Sequence, residues 1–328
     1  MMDQAAPQPQ QPQTMRLRDV AFTDLYVSVD CEAFQRGVPG MDGVVPPPPQ
    51  LAADLVGMHA VLTTTGGQRQ DFAIRYDGVL YRCSRIPSQG GRWFALRRGM
   101  NRVPTLTELG YSAALAQPLV QMGKSHGLLL IGGATGHGKS TTAAALLGEW
   151  LKIYGDVGVT VEDPPEAPLD GPHGDTGWCF QVDVEHGDFA GPMVQAMRWR
   201  PRYVMLGEVR SAEAASQALR AGINGHLVLT TIHAGSVEES LLALLRLAEA
   251  KDGELARTVL ADGLCGVVHQ TLVGEPKRPV VNSLFASRGE ACPVRAKIRD
   301  GKVTMLNTEI RLQASRRAQE KRQLDDRR

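Results

Sequence analysis

The sequence predicts an α/β protein built as two domains, and three observations carry that prediction. At 328 residues the chain exceeds one ordinary domain. From Gly127 onward, short apolar runs alternate with stretches of helical periodicity, the pattern of a mostly parallel sheet covered by helices. Before that point, alternating strands and tight turns ask for a smaller, sheet-rich α+β domain.

The elements follow in order. The opening "MMDQAAPQPQQPQ" is polar and proline-rich, so residues 1–15 are expected to be a disordered leader, not a signal peptide. Residues 16–110 form the expected N-terminal domain. Within it "FTDLYVSVD" alternates as a half-buried strand, and "RGVPGMDGVVPPPP" interrupts as a loop. "LAADLVGMHAVL" is a candidate helix. "QRQDFAIRYDGVLYRCSRIP" is a hairpin turning at Asp77-Gly78, and "GGRWFALRRG" adds a strand. A helical connector is expected over 111–126, followed by the α/β core over 127–312. There "GLLLIGG", "VGVTVED", "YVMLGEV" and "HLVLTTIHA" are strands, while "SAEAASQALRAG" and "SVEESLLALLRLAEA" are helices. "CGVVHQTLVG" and "RPVVNSLFA" are late strands, and "EACPVRAKIRDGKVTMLNTEIRL" is a helical C-terminal piece. The charged tail, 313–328, is expected to be a frayed, solvated helix end.

Composition excludes several classes of function. A net charge of +1 argues against nucleic acid as an obligatory partner. Five cysteines lie far apart with no C-x-x-C pair, which suits a reducing compartment and opposes both a disulfide framework and a zinc knuckle. Apolar runs such as "GLLLIGGA" are too short to cross a bilayer, so membrane contact is expected to be peripheral only.

The strongest chemical signal is "GGATGHGKSTT", Gly132 to Thr142. Gly133 to Ser140 matches G-x-x-x-x-G-K-[ST] in full, with an apolar strand before it and a helix after it. Glycines let backbone N–H groups converge on phosphates, and the helix N-terminus favours negative charge. The expected nucleotide-binding residues are Gly133, Thr135, Gly136, His137, Gly138, Lys139, Ser140 and Thr141. Lys139 is expected on the β/γ oxygens and Ser140 on Mg²⁺. The His137 side chain, at a variable position, is expected to point away from the phosphates.

Hydrolysis needs a carboxylate near the metal and the attacking water. "YVMLGE" ends in Glu208, and "VTVEDPPE" presents Glu162 before two prolines that stop the strand. Two carboxylates at strand ends beside a phosphate loop can divide the work: one orients or deprotonates water, the other keeps the Mg²⁺ shell in place. His226 and His233 bracket "HLVLTTIH". Seven apart, they fall on opposite faces of a regular strand, which argues against a shared metal. Spacing alone favours structural histidines, although His233, followed by small residues, could sense the γ-phosphate.

In order, "GATGHGKST", "VTVEDPPE", "VMLGEVRSAEAA" and "NGHLVLTTIHAGS" resemble the four signature boxes of the type II/type IV secretion and type IV pilus ATPases. The resemblance runs from about Asp71 to the C-terminus. It looks most like the PilT/DotB branch, given the short N-terminal domain, the lack of a tetracysteine segment and the tail "VRAKIRDGKVTMLNTEIRL". It implies a RecA-like P-loop motor domain and a smaller PAS-like α+β N-terminal domain. It also implies a homo-hexameric ring binding ATP and Mg²⁺ between subunits, with Glu208 serving Mg²⁺ through water. Carried over box by box, Glu162, Glu208, Arg210, His226 and His233 become the expected hydrolysis residues. "LYRCSR" and "FALRR" resemble the family's arginine-bearing strands, making Arg82 and Arg97 candidates to reach the phosphates in trans. Arg92 is a third candidate, at a shorter spacing to Arg97 than the family pattern.

Departures from the pattern are Ala134 for proline, Ser211 after Arg210 for aspartate, and "NGH" for "TGH". An N-terminal Arg-x-Asp-Gly core is not recognisable, which favours the secretion side. The function so implied is an ATPase motor at the cytoplasmic face of a bacterial inner membrane. It would dock on a membrane platform or secretion core and power type IV secretion or conjugative transfer. Pilus retraction and a ring-forming nucleotide switch with little hydrolysis remain as alternatives. A DNA-translocating reading would need a basic surface that the net charge does not supply.

Overall fold

The computed structural model describes residues 15–325 apart from 66, 68, 185, 186, 288 and 290, without the side chains from 320 onward. The expected leader lies outside the described residues except for Met15. The chain divides into two compact units, with the boundary between Asn101 and Arg102.

The first unit is an antiparallel sheet with one helix. Its strands are β1 (Asp24–Ser28), β2 (Ala33–Arg36), β3 (Val44–Val45), β4 (Asp71–Tyr76), β5 (Val79–Ser88) and β6 (Gly91–Arg98), and its helix is α1 (Ala52–Thr64). They lie in the order β3-β2-β1-β6-β5-β4. One face carries Leu25, Val27, Phe72, Tyr81, Phe94 and Leu96, and Leu55, Met58 and Leu62 of α1 join them in one buried cluster. Asp54 of α1 is buried but satisfied, accepting from Leu17 N at 2.7 Å and Tyr76 Oη at 2.9 Å. The hairpin at Asp77-Gly78 forms as expected, with both residues at positive φ.

The second unit is a mixed sheet between helices. Its strands are β7 (Gly127–Gly132), β8 (Asp156–Glu162), β9 (Gly171–His173), β10 (Gly177–Asp183), β11 (Tyr203–Leu206), β12 (Leu227–Ile232), β13 (Leu264–Val273) and β14 (Arg278–Phe285). They lie in the order β14-β13-β7-β12-β11-β8-β10-β9. The run from β13 to β10 is parallel, and β14 and β9 close the two edges antiparallel. Every residue of β7, β11 and β12 is buried, as expected for parallel strands covered on both faces.

The helices are α2 (Ala113–Gln121), α3 (Lys139–Tyr154), α4 (Ala190–Met197), α5 (Ala212–Ile223), α6 (Val237–Asp252), α7 (Leu255–Gly263), α8 (Pro293–Arg299) and α9 (Asn307–Asp325). Leu128, Leu130, Val159, Val161, Val204 and Leu206 face α4 to α7 in one core cluster. On the opposite face α3 carries Trp150, whose Nε1 donates to Leu119 O of α2 at 3.0 Å. The expected connector is thus packed into the second unit, because its apolar side meets a buried tryptophan. Two caps fix where helices start: Ser211 Oγ accepts from Ala214 N, and Ser236 Oγ accepts from Glu239 N, at 3.2 and 3.1 Å. The charged tail continues α9 as a helix to Asp325.

Candidate active site

The order of the parallel strands brings four loops to one edge. β7, β12, β11 and β8 are neighbours, and their C-terminal ends carry, in that order, the phosphate loop, His233, Glu208 and Glu162. Register sets the alignment. Gly132 pairs with Ile232, so the residues leaving those strands are Gly133 and His233. Leu206 pairs with Val161, which places Gly207 beside Glu162 and Glu208 one residue beyond.

The phosphate loop leaves β7 at Gly133 and enters α3 at Lys139. Gly133, Gly136 and Gly138 take φ of 152°, 77° and 75°, which side-chain-bearing residues rarely adopt. At Gly133 a Cβ would also lie 2.6 Å from Gln270 O, so only glycine fits there. A Cβ at Gly136 would meet nothing within 4 Å, so there it is the backbone angle, not crowding, that asks for glycine. Lys139 is buried, and its Nζ donates to Ala134 O at 3.0 Å. Burial lowers its pKa, against an opposing pull from Glu208 and Glu166.

The His137 side chain turns away from the open side of the loop. Its Nδ1 accepts from Leu272 N of β13 at 2.9 Å, and its carbonyl accepts from Gln270 Nε2 at 2.5 Å. Gln270 Oε1 in turn accepts from Tyr111 Oη at 2.6 Å. The loop is therefore pinned from behind by β13.

Glu208 is the hub of the open side. Its Oε2 accepts from an Arg210 guanidinium nitrogen at 2.8 Å, and its Oε1 lies 3.1 Å from His233 Nε2. His233 Nδ1 lies 3.4 Å from Thr135 Oγ1 of the phosphate loop. One polar chain thus runs Arg210–Glu208–His233–Thr135. Thr231 Oγ1 donates to Gly207 O at 2.7 Å and holds the end of β11 against β12.

Glu162 is 4% exposed, and burial pushes its carboxyl up to about 7. Gln181 Nε2 of β10 donates to Glu162 Oε1 at 3.1 Å. A buried carboxyl titrating near neutrality at a strand end is suited to general-base work.

His226 is not among the gathered residues. It precedes Leu227, which pairs with Gly127 at the start of β7, so it sits at the opposite edge of the sheet. The six residues of β12 separate it from His233 by roughly 20 Å. Its Nδ1 lies 2.6 Å from Pro201 O.

In the first unit Arg82 and Arg97 are cross-strand partners on β5 and β6, and Arg97 is also opposite Asp24, which is opposite Arg36. Arg36, Asp24, Arg97 and Arg82 therefore form one row across the sheet face that α1 does not cover. Arg97 Nε donates to Asp24 Oδ1 at 3.0 Å. Arg92, five residues from Arg97, falls on the other face by strand alternation.

Gln181, Gln270, Tyr111 and Thr231 were not singled out by the sequence. The available signal for Gln181 was the turn-rich "DGPHGDTGW" followed by alternation in "WCFQVD". Gln270 and Tyr111 carry no local signal, because their roles come from pairing 159 residues apart.

A family profile described as type II/IV secretion system protein matches residues 66–324, most of the chain. The chain belongs to that family. Within the type II/IV secretion system proteins it is 32% identical over 254 residues to the uncharacterized protein YggR of Escherichia coli K12, covering 76% of this chain and 74% of YggR. It is 37% identical over 170 residues to the putative type II secretion system protein E of Escherichia coli K12, covering 52% of this chain and 32% of that protein. The chain thus spans about a third of that relative's length. Among solved structures it is similar to the pilus retraction motor PilT with bound ADP, at TM-score 0.69 and 22% identity over 90% of this chain and 87% of that one. The Legionella pneumophila ATPase DotB is similar at TM-score 0.69 and 20% identity, over 95% and 94%. These two likenesses concern the fold.

Proposed function

We propose that this type II/IV secretion system protein is an ATP-hydrolysing motor, assembled as a hexameric ring, that powers a type IV secretion or conjugative transfer apparatus. The observation that carries the reading is the polar chain Arg210–Glu208–His233–Thr135, which joins a strand-end carboxylate to the phosphate loop. Such a link lets the state of the phosphate site bear on the residues around it.

The residues fit ATP with Mg²⁺. Three loop glycines at positive φ give the turn that lets backbone N–H groups converge on phosphates, and Lys139 supplies the buried cation. Ser140, in the first turn of α3, is the hard oxygen donor that would hold Mg²⁺. Both Glu208 oxygens already face donors, so Glu208 serves the metal's water shell, not the metal itself. Bound Mg²⁺ neutralises charge on the phosphates. Glu162, buried and proton-accepting near neutrality, is the base for water. Arg82 and Arg97, cross-strand neighbours on the sheet face opposite α1, are the groups that would act in trans, on a first unit of PAS-like type.

Among the described residues no helix is long and apolar enough to cross a membrane. We place the motor at the cytoplasmic face of the inner membrane, docked on a membrane platform. A second reading, service to a type II secretion or pilus machine, is favoured by relatives named type II secretion system protein E, such as that of Pectobacterium carotovorum subsp. carotovorum, 36% identical over 206 residues.

The test is Mg²⁺–ATP hydrolysis across a range of protein concentrations, with Lys139→Ala as the blank. Specific activity that climbs and then levels supports a site completed by assembly. No activity above the blank at any concentration, with or without membranes, would sink the motor reading.

A further inference from the structure

Gln181 is one strand outward from Glu162, on β10, where it pairs with Thr160 of β8. Its carboxamide is used completely. Nε2 donates to Glu162 Oε1 at 3.1 Å and to Ala167 O at 2.9 Å. Oε1 accepts from Leu169 N at 3.0 Å and Asp170 N at 2.9 Å. Two donors and two lone pairs are all that such a group possesses.

This arrangement decides which way the amide faces. Reversing it would set an NH₂ group against two backbone N–H donors and an oxygen against the Glu162 carboxylate and the Ala167 carbonyl. All four contacts would turn repulsive, so the orientation follows from the partners. The backbone of Gln181 joins in, its N–H donating to Asp170 Oδ1 at 3.0 Å. One side chain therefore ties the segment from Ala167 to Asp170 to the carboxylate at the end of β8.

Glu162 needs such a tie. Its carboxylate is almost fully enclosed, and a carboxyl group has a broad terminal torsion that packing alone fixes poorly. Gln181 shares the group with the Thr160 hydroxyl and the Glu166 backbone N–H, and its Nε2–H on Oε1 is the directional contact that comes from the neighbouring strand.

We infer that Gln181 is a positioning residue for Glu162, holding its carboxylate in a single orientation and coupling that orientation to the loop over Ala167–Asp170. The inference rests on the reading of Glu162 as the base for water. Gln181 need not touch nucleotide or water to act in this way.

The test uses the full chain with Mg²⁺–ATP and four variants: Gln181→Met, Gln181→Glu, Glu162→Gln and the Gln181→Met/Glu162→Gln pair. Methionine keeps the length and removes all four bonds. Glutamate keeps acceptor oxygens for Leu169 and Asp170 but removes the donor to Glu162. It also loses the bond to Ala167 O and sets a second carboxyl against Glu162, so it should move the pH midpoint of turnover upward, which Gln181→Met should not. Each Gln181 variant should lower kcat by about tenfold to a hundredfold, the cost of a misplaced catalytic group. KM for ATP should stay within about twofold, and binding of a fluorescent nucleotide should persist, which also shows that the variant is folded. In the Glu162→Gln background, read at high enzyme concentration, Gln181→Met should cost nothing more. The inference is overturned if Gln181→Met is as costly in both backgrounds, if Gln181→Glu runs like wild type, or if KM rises as kcat falls. A fully active Glu162→Gln would overturn the reading of Glu162 itself, a result that the Gln181 variants alone could not produce.

Discussion

His233 Nε2 lies 3.1 Å from Glu208 Oε1, while Nδ1 of the same ring lies 3.4 Å from Thr135 Oγ1. One imidazole thus spans the gap between the end of β11 and the phosphate loop. With the proton on Nε2 the ring donates to Glu208 and can accept from Thr135, so the neutral form serves both contacts. His233→Ala should lower kcat by about tenfold or more while changing nucleotide affinity less than about threefold. Steady-state hydrolysis paired with fluorescent-nucleotide binding checks this. A large affinity loss with unchanged kcat would place His233 on the ground-state complex instead.

Glu162 makes stability and activity run in opposite directions with pH. Its carboxyl titrates at about 7 in the fold and near 4.5 when freed from burial. Below about pH 4.5 both states hold the proton, and burial carries no ionic penalty. Between 4.5 and 7 the unfolded chain releases its proton first, so stability falls as pH rises. Above 7 the loss is constant, at about 3 kcal/mol. Glu162→Gln should therefore raise the melting temperature at pH 8 and leave it unchanged at pH 4.5. With Glu162 as the proposed base, wild-type turnover should rise with a midpoint near pH 7 and level off about a unit or more above it. Melting curves and rate profiles on the same samples test both signs.

Pinning of the phosphate loop from behind predicts a binding defect, not a chemical one. His137→Ala removes the acceptor for Leu272 N and leaves that amide without its partner. A lost hydrogen bond of this kind is worth about 1 kcal/mol, so KM for ATP should rise about fivefold with kcat nearly unchanged. His137→Asn, which restores an acceptor, should recover part of the loss.

The row Arg36–Asp24–Arg97–Arg82 predicts a different phenotype in the first unit. Arg82→Ala and Arg97→Ala should leave nucleotide binding intact and lower turnover most at high protein concentration, where assembly is complete. Arg92→Ala, on the opposite face, should behave like wild type. Equal effects from all three would mean that net charge, not position, is what matters.

Much of the second unit was legible because its strands are either uniformly apolar or end in punctuating residues. "GLLLIGG" and "HLVLTTIH" could hardly be anything but buried parallel strands, and the glycine pattern between Gly133 and Gly138 announces its own backbone. Glu162 and Glu208 could be named, and the resemblance put Glu208 on the Mg²⁺ water shell, but the residues alone did not show how differently the two are surrounded. One is enclosed and the other carries Arg210 and His233, a difference that strand order and register create. The residues 164–202 offered less. β10 carries apolar residues on both faces, Trp178 and Phe180 exposed against Cys179 buried, so neither the strand nor the role of Gln181 stood out. For His226 and His233, sequence gives a spacing, whereas a strand turns that spacing into two ends of a sheet.

The histidine at the far end has a geometric consequence of its own. His226 Nδ1 meets Pro201 O, and Leu227 N donates to Arg202 O at 2.9 Å, so β11 and β12 are fastened together where they begin. An extended strand is nearly inextensible, with a fixed rise of about 3.3 Å per residue. Two such strands, stapled at their origins and laddered along their length, deliver their last residues at a fixed offset. The strand ends that carry Glu208 and His233 thus start from a register fastened at the other end of the sheet, far from the phosphate loop.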